Sequence, residues 1–269
     1  MTSTPALDLD AILHLATAIA EEAGELLLAR IADVHTVDTK SSPVDAVTEV
    51  DRAAEALIVA RILEARPDDG ILGEEGADRA GTSGVRWVVD PLDGTVNYLY
   101  QRGSFCVSIG VEDASGAVVG VVRDPSRAET FVAVRGRGAT LNGAPIHVST
   151  VDDLSRALIG TGFGYEVQMR GEQGPVLARM ITQVRDIRRQ GSAALDLCAV
   201  ACGRLDGYFE RGLNPWDSSA GALIVREAGG HAERLEPPEL PWSMWLAAGP
   251  GIVDTLRVTV VAASNADSG

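Results

Sequence analysis

The chain has 269 residues, 46% of them hydrophobic, which is enough apolar surface for one large α/β domain or two closely packed lobes. Its 38 acidic residues outnumber 23 basic residues, and the formal net charge is -15 at pH 7. Such a chain repels a phosphate backbone, which argues against generic nucleic-acid binding. A phosphorylated substrate would therefore require bound cations, because a metal ion can reverse the local charge that the side chains set.

Cysteine usage and the N-terminal pattern predict a soluble cytoplasmic protein in a reducing compartment. Cys106, Cys198 and Cys202 are an odd number without framework spacing, so we expect no disulfide scaffold. Cys198 and Cys202 stand four apart on a predicted helix, where we interpret them as small buried side chains rather than a metal or redox pair. Asp8 and Asp10 occupy the region where a signal peptide carries positive charge, and no apolar run approaches the ~18 residues of a membrane span.

Two amphipathic helices are predicted at the start of the chain. The first runs from about Leu7 to Ala32, with apolar residues at helical spacing on one face. Thr48 indicates the start of the second helix, and Pro67 indicates its end. We expect the two helices to pack as a pair.

From Val85 the pattern changes to short valine-rich runs, which read RWVVD, FCVSIGVED, AVVGVVRDP and ETFVAVRG. Because Gly, Pro, Asp and Ser turns separate these runs, they predict a sheet. The second half is mixed αβ, with predicted strands at Ala157–Thr161 and Asp206–Glu210 and helices at Gly174–Val184, Ser192–Cys202 and Asp217–Ala228. The small, polar residues 262–269 are expected to fray.

Four stretches place acidic residues beside predicted elements, namely KSSPVDAVTEVD (40–51), GEEG (73–76), DPLDGT (90–95) and NPWD (214–217). Each alone has an ordinary structural interpretation. Asp51 belongs to the first turn of a helix, Asp217 is an N-cap, GEEG is a solvated face and DPLDGT is a polar turn.

The combination of these stretches indicates a hard cation. Mg²⁺ takes oxygen ligands, and a set of carboxylates without His or Cys partners favours Mg²⁺ over zinc. The four histidines, His14, His35, His147 and His231, show no ligand spacing.

The DPLDGT stretch is the centre of this predicted site. Asp90 stands at a strand end, the carbonyl of Leu92 can face inward after the turn, and Asp93 can reach the same or a neighbouring ion. Gly94 and Thr95 then bring backbone N–H groups to the start of a short helix, where an anion such as phosphate binds.

These motifs, in this order and at these separations, resemble the inositol monophosphatase family of Mg²⁺-dependent, lithium-sensitive phosphomonoesterases. LNGAPIHVS and GSAALDLCAVACGRLDGYFE are similar to bacterial members, so the likeness covers nearly the whole chain. The resemblance implies an α/β (α+β) fold, a five-layered αβαβα sandwich of the sugar-phosphatase type. Residues 1–150 would hold the helix pair and the large antiparallel sheet with the metal motifs, and residues 151–269 a smaller αβ lobe of the same compact unit. Homodimers are usual in the family.

The resemblance also implies the metal ligands. Glu74, Asp90 and the Leu92 carbonyl would hold a first Mg²⁺, and Asp90, Asp93 and Asp217 a second. A third, weaker ion is expected near Glu74. One ion would generate the nucleophile and another would neutralise the departing oxygen, without a covalent intermediate.

Further roles follow from the same resemblance. Glu74 and Thr95 would orient and deprotonate the attacking water, with Asp51 hydrogen-bonded to the Thr95 hydroxyl. Substrate contacts would come from Leu92, Asp93, Gly94, Thr95, Arg188, Gly191, Ser192, Ala193, Glu210 and Asp217. The alternative for Glu210 is a solvated strand-end carboxylate. Arg188 lies where bacterial members carry a substrate-side or subunit-contact arginine, and Arg188 and Arg189 alternatively pair with surface carboxylates.

The expected reaction is hydrolysis of a small phosphomonoester, foremost inositol 1-phosphate to myo-inositol and phosphate. Asn214 and Pro215 replace the His and Cys of the animal enzymes, and Gly76 replaces a Ser, which leaves histidinol phosphate and fructose 1,6-bisphosphate as alternative substrates. A non-catalytic regulatory protein is a further alternative. It predicts the loss of a metal ligand, and none is lost.

Overall fold

Helices and two sheets alternate in five layers in this computed structural model, which describes residues 7–31, 38–39, 46–47, 49–240 and 242–266. The predicted αβαβα sandwich is confirmed. The prediction that 1–150 and 151–269 form two parts of one unit stays a prediction, and its boundary falls in the connection between the two sheets. Positions 40–45 and 48 of the KSSPVDAVTEVD motif, and His35, lie outside the described residues.

The first layer is the predicted helix pair, α1 (Leu9–Arg30) and α2 (Glu49–Ala65). The Asp8 carboxylate accepts a 3.0 Å hydrogen bond from the Ala11 N–H and so caps the start of α1. Apolar residues of α1 and α2 are buried against one face of the large sheet. These residues and the sheet residues they contact form one hydrophobic core.

The large sheet has eight strands, β3 (Gly70–Gly73), β4 (Asp78–Arg79), β5 (Arg86–Asp93), β6 (Cys106–Asp113), β7 (Gly116–Asp124), β8 (Glu129–Val134), β9 (Ala139–Leu141) and β10 (Ala144–Pro145). Their order is β10-β9-β8-β7-β6-β5-β3-β4, and β3 with β5 is the parallel pair among antiparallel neighbours. The valine-rich runs are buried on both faces because helices cover both sides of this sheet. A separate two-stranded ladder joins β1 (Asp38–Thr39) to β2 (Ala46–Val47).

The second sheet has five strands, β11 (Leu158–Thr161), β12 (Asp186–Arg188), β13 (Gly207–Arg211), β14 (His231–Leu235) and β15 (Met244–Ala248), in the order β12-β11-β13-β15-β14. Between the two sheets lie α5 (Ala193–Ala201) and α6 (Pro215–Glu227), and the outer layer holds α4 (Val167–Met180) and α7 (Val253–Asn265). A short helix, α3 (Thr95–Leu99), follows β5 directly.

Two predicted elements differ from the structure. The helix predicted at Gly174–Val184 is α4, which begins at Val167 and contains Pro175 in its interior. The helix ends at Met180, earlier than predicted. Residues 262–265 belong to α7 instead of fraying, since Val260 and Ala263 pack into the outer core, and residues 267–269 lie outside the described part.

The cysteines are free thiols, with Cys106 and Cys198 buried and Cys202 partly exposed. Cys198 is buried in the middle layer, as interpreted from the sequence, whereas Cys202 packs against the edge of the same cluster and is only partly buried. Within the described part of the chain, no helix combines the length and the apolar character needed to cross a membrane.

Candidate active site

A cleft of about 650 Å³ opens where the end of β5 meets the starts of α5 and α6. Most of the predicted site residues line it, namely Glu74, Asp90, Leu92, Asp93, Gly94, Thr95, Gly191, Ala193, Glu210 and Asp217. Residues far apart in the sequence therefore meet at one edge of the large sheet. Asp51, Ser192 and Arg188 lie elsewhere and are described below.

A bulge in β5 sets the direction of its two acidic side chains. Asp90 pairs with Ser108 of β6 and Asp93 pairs with Cys106, so three steps along β5 match two steps along β6. In a regular strand, residues three apart point to opposite faces, and the extra residue of a bulge removes that difference. The bulge therefore brings Asp90 and Asp93 to one side of the sheet.

Local hydrogen bonds hold the backbone of this turn. The buried Asp90 carboxylate accepts a 3.0 Å bond from the Leu92 N–H, and the Leu92 carbonyl accepts a 3.0 Å bond from the Thr95 hydroxyl. Gly94 has φ +92, and a Cβ there would lie 2.8 Å from the Ser104 carbonyl oxygen. This position therefore requires glycine for both conformation and space.

Asp93 is fixed by the N-terminus of α5. Its Oδ2 accepts 2.7 Å hydrogen bonds from the Ser192 hydroxyl and from the Ala194 N–H. Burial still raises the pKa of Asp93, although these bonds act in the opposite direction. Ser192 is thus buried beneath the cleft and reaches it through Asp93.

The remaining cleft carboxylates repel one another. Burial raises the pKa of Asp90 and Asp217 well above the usual aspartate range, and neighbouring carboxylates raise both further. Loss of hydration among the surrounding groups raises the pKa of Glu74 to about 7, a hydrogen bond with Asp90 opposes this shift, and the charge of Asp93 adds to it. The cleft concentrates acidic groups that outnumber the two arginines in its lining, Arg189 and Arg211.

Asp51 lies behind this group on α2 and is 2% exposed. Burial raises its pKa well above the usual range, and the charges of Glu74 and Glu75 add to the effect. Asp51 therefore lies close enough to the cleft for the charge of Glu74 to act on it. Its hydrogen bond to Thr95 stays a prediction.

The donor set fits a hard cation. The group consists of carboxylate and carbonyl oxygens, which are the ligands that Mg²⁺ prefers. Across the described ranges, no three acidic, histidine or cysteine side chains already stand at the spacing of an assembled metal site. The fit therefore rests on oxygen chemistry and on concentrated negative charge, which a divalent ion would offset.

Asp217 is the third residue of α6 and not its N-cap, which is Asn214. Its Oδ2 accepts a 2.6 Å hydrogen bond from the Asn214 N–H in a capping box at the start of α6, and the side chain also lines the cleft. Asn214 lines the same cleft, whereas Pro215 lines a neighbouring groove. Asn214 also lines that groove, so it borders both spaces, whereas Pro215 borders the groove.

The far wall of the cleft carries Glu210, whose carboxylate accepts a hydrogen bond from the buried Tyr208 hydroxyl. Burial raises the pKa of Glu210 to about 7. Glu210 is therefore not a solvated strand-end carboxylate.

The structure places Arg188 outside the cleft, contrary to prediction. Its guanidinium pairs with Asp186 at 2.6 Å and lines a separate groove with Arg204. The next residue, Arg189, lines the cleft instead. Arg188 ends β12, and neighbouring side chains along an extended chain point in opposite directions.

Sequence reasoning also missed an apolar section of the cleft wall. Phe163, Tyr165, Val167 and Met169 line the cleft where the chain leaves β11 and enters α4. Gly162 and Gly164 in this segment are a turn signal, but no motif connected it with the acidic stretches.

Comparison with known proteins connects this fold and cleft with catalysis. A solved inositol monophosphatase from Anabaena superposes with a TM-score of 0.80 at 35% sequence identity, covering 94% of this chain and 96% of that chain. The fold and the site define a phosphatase. Residues 8–265 match the model of the inositol monophosphatase family, and the chain belongs to that family.

Curated bacterial relatives agree with this assignment. The inositol-1-monophosphatase SuhB of Mycobacterium tuberculosis is 46% identical over 231 residues, which are 82% of this chain and 79% of that protein. A protein of Salmonella typhimurium named Nus factor SuhB is 43% identical over 222 residues, which are 81% of this chain and 83% of that protein. The predicted family and the predicted enzyme class are confirmed.

Proposed function

We propose that this protein hydrolyses a small phosphomonoester with Mg²⁺ in the cleft, foremost inositol 1-phosphate, to give myo-inositol and phosphate. The observation that carries the proposal is the convergence of oxygen ligands from DPLDGT, GEEG and NPWD on one cleft, with pKa values raised by burial and mutual repulsion. An anionic substrate enters such a cleft only when cations offset its charge.

The ligands proposed for Mg²⁺ are Glu74, Asp90 and the Leu92 carbonyl for one ion, and Asp90, Asp93 and Asp217 for another. A third, weaker ion is proposed near Glu74. When bound, Mg²⁺ supplies positive charge that holds the phosphate, favours deprotonation of water and stabilises the leaving alkoxide.

The protein's own groups then orient the reaction. Glu74 faces the cleft and accepts the proton of the attacking water, and the Thr95 hydroxyl, held by the Leu92 carbonyl, fixes that water by accepting its second hydrogen bond. The backbone N–H groups of Gly94 and Thr95, at the start of α3, are assigned to the phosphate. Most of the catalysis is positioning and charge stabilisation, as is general for phosphoryl transfer.

The alcohol part of the substrate is assigned to the opposite wall. Glu210 accepts hydrogen bonds from hydroxyl groups of the substrate, and Asn214 borders the same space. Arg189 gives this wall a cation, which suits a substrate with a second anionic group and keeps fructose 1,6-bisphosphate as an alternative beside histidinol phosphate.

Cellular context is proposed from the family alone. We expect a cytoplasmic homodimer without a membrane or nucleic-acid partner, and light scattering on a sizing column measures the dimer directly. The Nus factor name of the Salmonella relative raises a regulatory role as the other candidate, and the retained oxygen ligands favour catalysis.

A phosphate-release screen tests the proposal. The purified protein is assayed on inositol, histidinol, fructose and nucleotide phosphates with Mg²⁺, with EDTA, and with Mg²⁺ plus lithium. We expect release with Mg²⁺ only, fastest on inositol 1-phosphate and reduced by lithium. If every substrate stays intact in the presence of Mg²⁺, the regulatory role becomes the leading account.

A further inference from the structure

Helix α2 carries two buried acidic residues one turn apart, and only the first has a proposed role in catalysis. Asp51 lies behind the cleft, whereas Glu55 is 7% exposed and lies beneath the loop between β3 and β4. Buried carboxylates are costly unless hydrogen bonds satisfy them. The contacts of Glu55 therefore indicate what it does.

Both oxygens of Glu55 bind the backbone of that loop. Oε2 accepts a 2.9 Å hydrogen bond from the Glu75 N–H, and Oε1 accepts a 3.0 Å bond from the Ala77 N–H. The contact is close enough that a Cβ on Gly73 would lie 2.2 Å from Oε2. One side chain thus fixes two points of a short loop.

The loop is also closed on itself. The Gly73 N–H donates a 2.6 Å bond to the Ala77 carbonyl, and Gly76 has φ +117, which only glycine adopts without strain. Glu74 is the first residue of this turn and is exposed, so packing does little to fix its side chain. The Glu74 N–H donates a 3.2 Å bond to the Val89 carbonyl of β5, so β5 holds the start of this turn and Glu55 holds the residues that follow.

Glu74 lines the cleft together with Asp90 and Asp93. Ionised carboxylates in one cleft repel one another until a cation offsets their charge. A loop carrying one of several repelling carboxylates moves apart unless its backbone is held. Metal affinity requires each ligand within a fraction of an ångström of its place, and groups that orient ligands matter nearly as much as the ligands.

We infer that Glu55 is a positioning residue, which sets the Mg²⁺ affinity of the cleft by holding the backbone that carries Glu74. The inference rests on the proposed function, because it assigns Glu74 as a ligand. Glu55 reaches the ion only through the loop, and the charge-assisted bonds from two backbone N–H groups are what it contributes.

The chain offers a matched control. Glu227, at the end of α6, accepts 2.8 Å bonds from the Gly136 and Gly138 N–H groups with its two oxygens, in the turn between β8 and β9. Glu227 repeats the chemistry of Glu55 at a turn that does not border the cleft. Replacing either glutamate by glutamine leaves one acceptor oxygen and turns an NH₂ group toward a donor.

The test compares Glu55→Gln with Glu227→Gln in the full-length protein. Calorimetry measures the Mg²⁺ dissociation constant, amide exchange measures protection at Glu75 and Ala77, and phosphate release is measured across Mg²⁺ concentrations. For Glu55→Gln we expect about tenfold weaker Mg²⁺ binding, faster exchange at both amides, and turnover that recovers at saturating Mg²⁺. For Glu227→Gln we expect Mg²⁺ affinity within about twofold of wild type, which is below the effect of a group that orients a ligand.

Equal Mg²⁺ affinity in the two variants, or unchanged amide exchange in Glu55→Gln, overturns the inference. If Glu55→Gln does not fold, Glu55→Asp provides the same comparison, because its shorter side chain keeps the charge but does not span both N–H groups. A wild-type protein that binds Mg²⁺ but hydrolyses no phosphomonoester contradicts the proposed function alone. A wild-type protein that binds no Mg²⁺ contradicts both.

Discussion

The Ser192 hydroxyl donates a 2.7 Å hydrogen bond to Asp93 Oδ2 and so joins residues 99 apart in the sequence. The same hydroxyl accepts a 3.2 Å bond from the Leu195 N–H and caps α5. One side chain therefore stabilises a helix of the middle layer and orients a carboxylate at the end of β5. The stability of α5 and the geometry of the cleft are coupled through this group.

Removal of that hydroxyl tests the coupling. Ser192→Ala should lower the free energy of unfolding by about 1–2 kcal/mol, because α5 loses its cap and Asp93 loses a donor. Urea denaturation in EDTA measures the change, and phosphate release with Mg²⁺ should fall in the same variant. Ser192→Thr, which keeps a hydroxyl at an extended backbone position, should restore most of both quantities. Full activity in Ser192→Ala would contradict the coupling.

Loss of the charge on Asp93 tests the proposed metal ligands. Asp93→Asn keeps an oxygen that can accept the bonds from Ser192 and Ala194, so the fold should persist while turnover falls at least about 100-fold. The matched control is Asp206→Asn, since Asp206 accepts a 2.7 Å bond from the Leu158 N–H away from the cleft. Phosphate release at rising Mg²⁺ measures both. Near-normal turnover of Asp93→Asn at saturating Mg²⁺ would exclude Asp93 as a ligand.

The pH dependence of stability without metal tests the burial of Glu210. Its pKa is about 7 in the folded protein, against a usual value of 4.5, so the folded state retains a proton that the unfolded state releases between these values. The contribution of Glu210 to the free energy of unfolding is therefore fully present below pH 4.5 and is lost as the pH rises through 7. The total loss from this group is up to about 3 kcal/mol.

Melting temperatures in EDTA at pH 5 and pH 8 measure this slope. The wild type should melt at a lower temperature at pH 8, and Glu210→Gln should reduce the difference, because glutamine does not ionise. An equal difference in both proteins would show that Glu210 ionises as freely as in the unfolded chain.

The two neighbouring arginines give a paired test of the alcohol site. Arg189→Ala should raise KM about tenfold with little change in kcat, because the cleft loses a cation that holds an anionic substrate. Arg188→Ala should leave both constants within about twofold, since Arg188 is an exposed residue paired with Asp186 outside the cleft. Steady-state kinetics on the best substrate of the screen measures both. The reverse result would restore the original assignment of Arg188.

The local patterns predicted most of the fold because hydrophobic periodicity is a local signal. The helix pair, the valine-rich strands and α6 follow from spacing within the sequence. The start of α4 and the extent of α7 did not, because Pro175 lies inside a helix, where local rules disfavour it, and only packing in the outer core shows that Val260 and Ala263 are buried. Helix ends depend on such long-range contacts.

The sequence by itself determined the chemistry of the site, since DPLDGT, GEEG and NPWD supply oxygen donors without histidine or cysteine, and donor type is a property of composition. Only the tertiary structure decided where the side chains of the site point and which residues hold them in place. The bulge in β5 turns Asp90 and Asp93 to one side, the end of β12 sends Arg189 rather than Arg188 into the cleft, and Glu55 meets a loop about twenty residues away. The physical reason is that a side chain's direction depends on the register of its strand and on the partners it meets across the fold, and neither is encoded in local spacing.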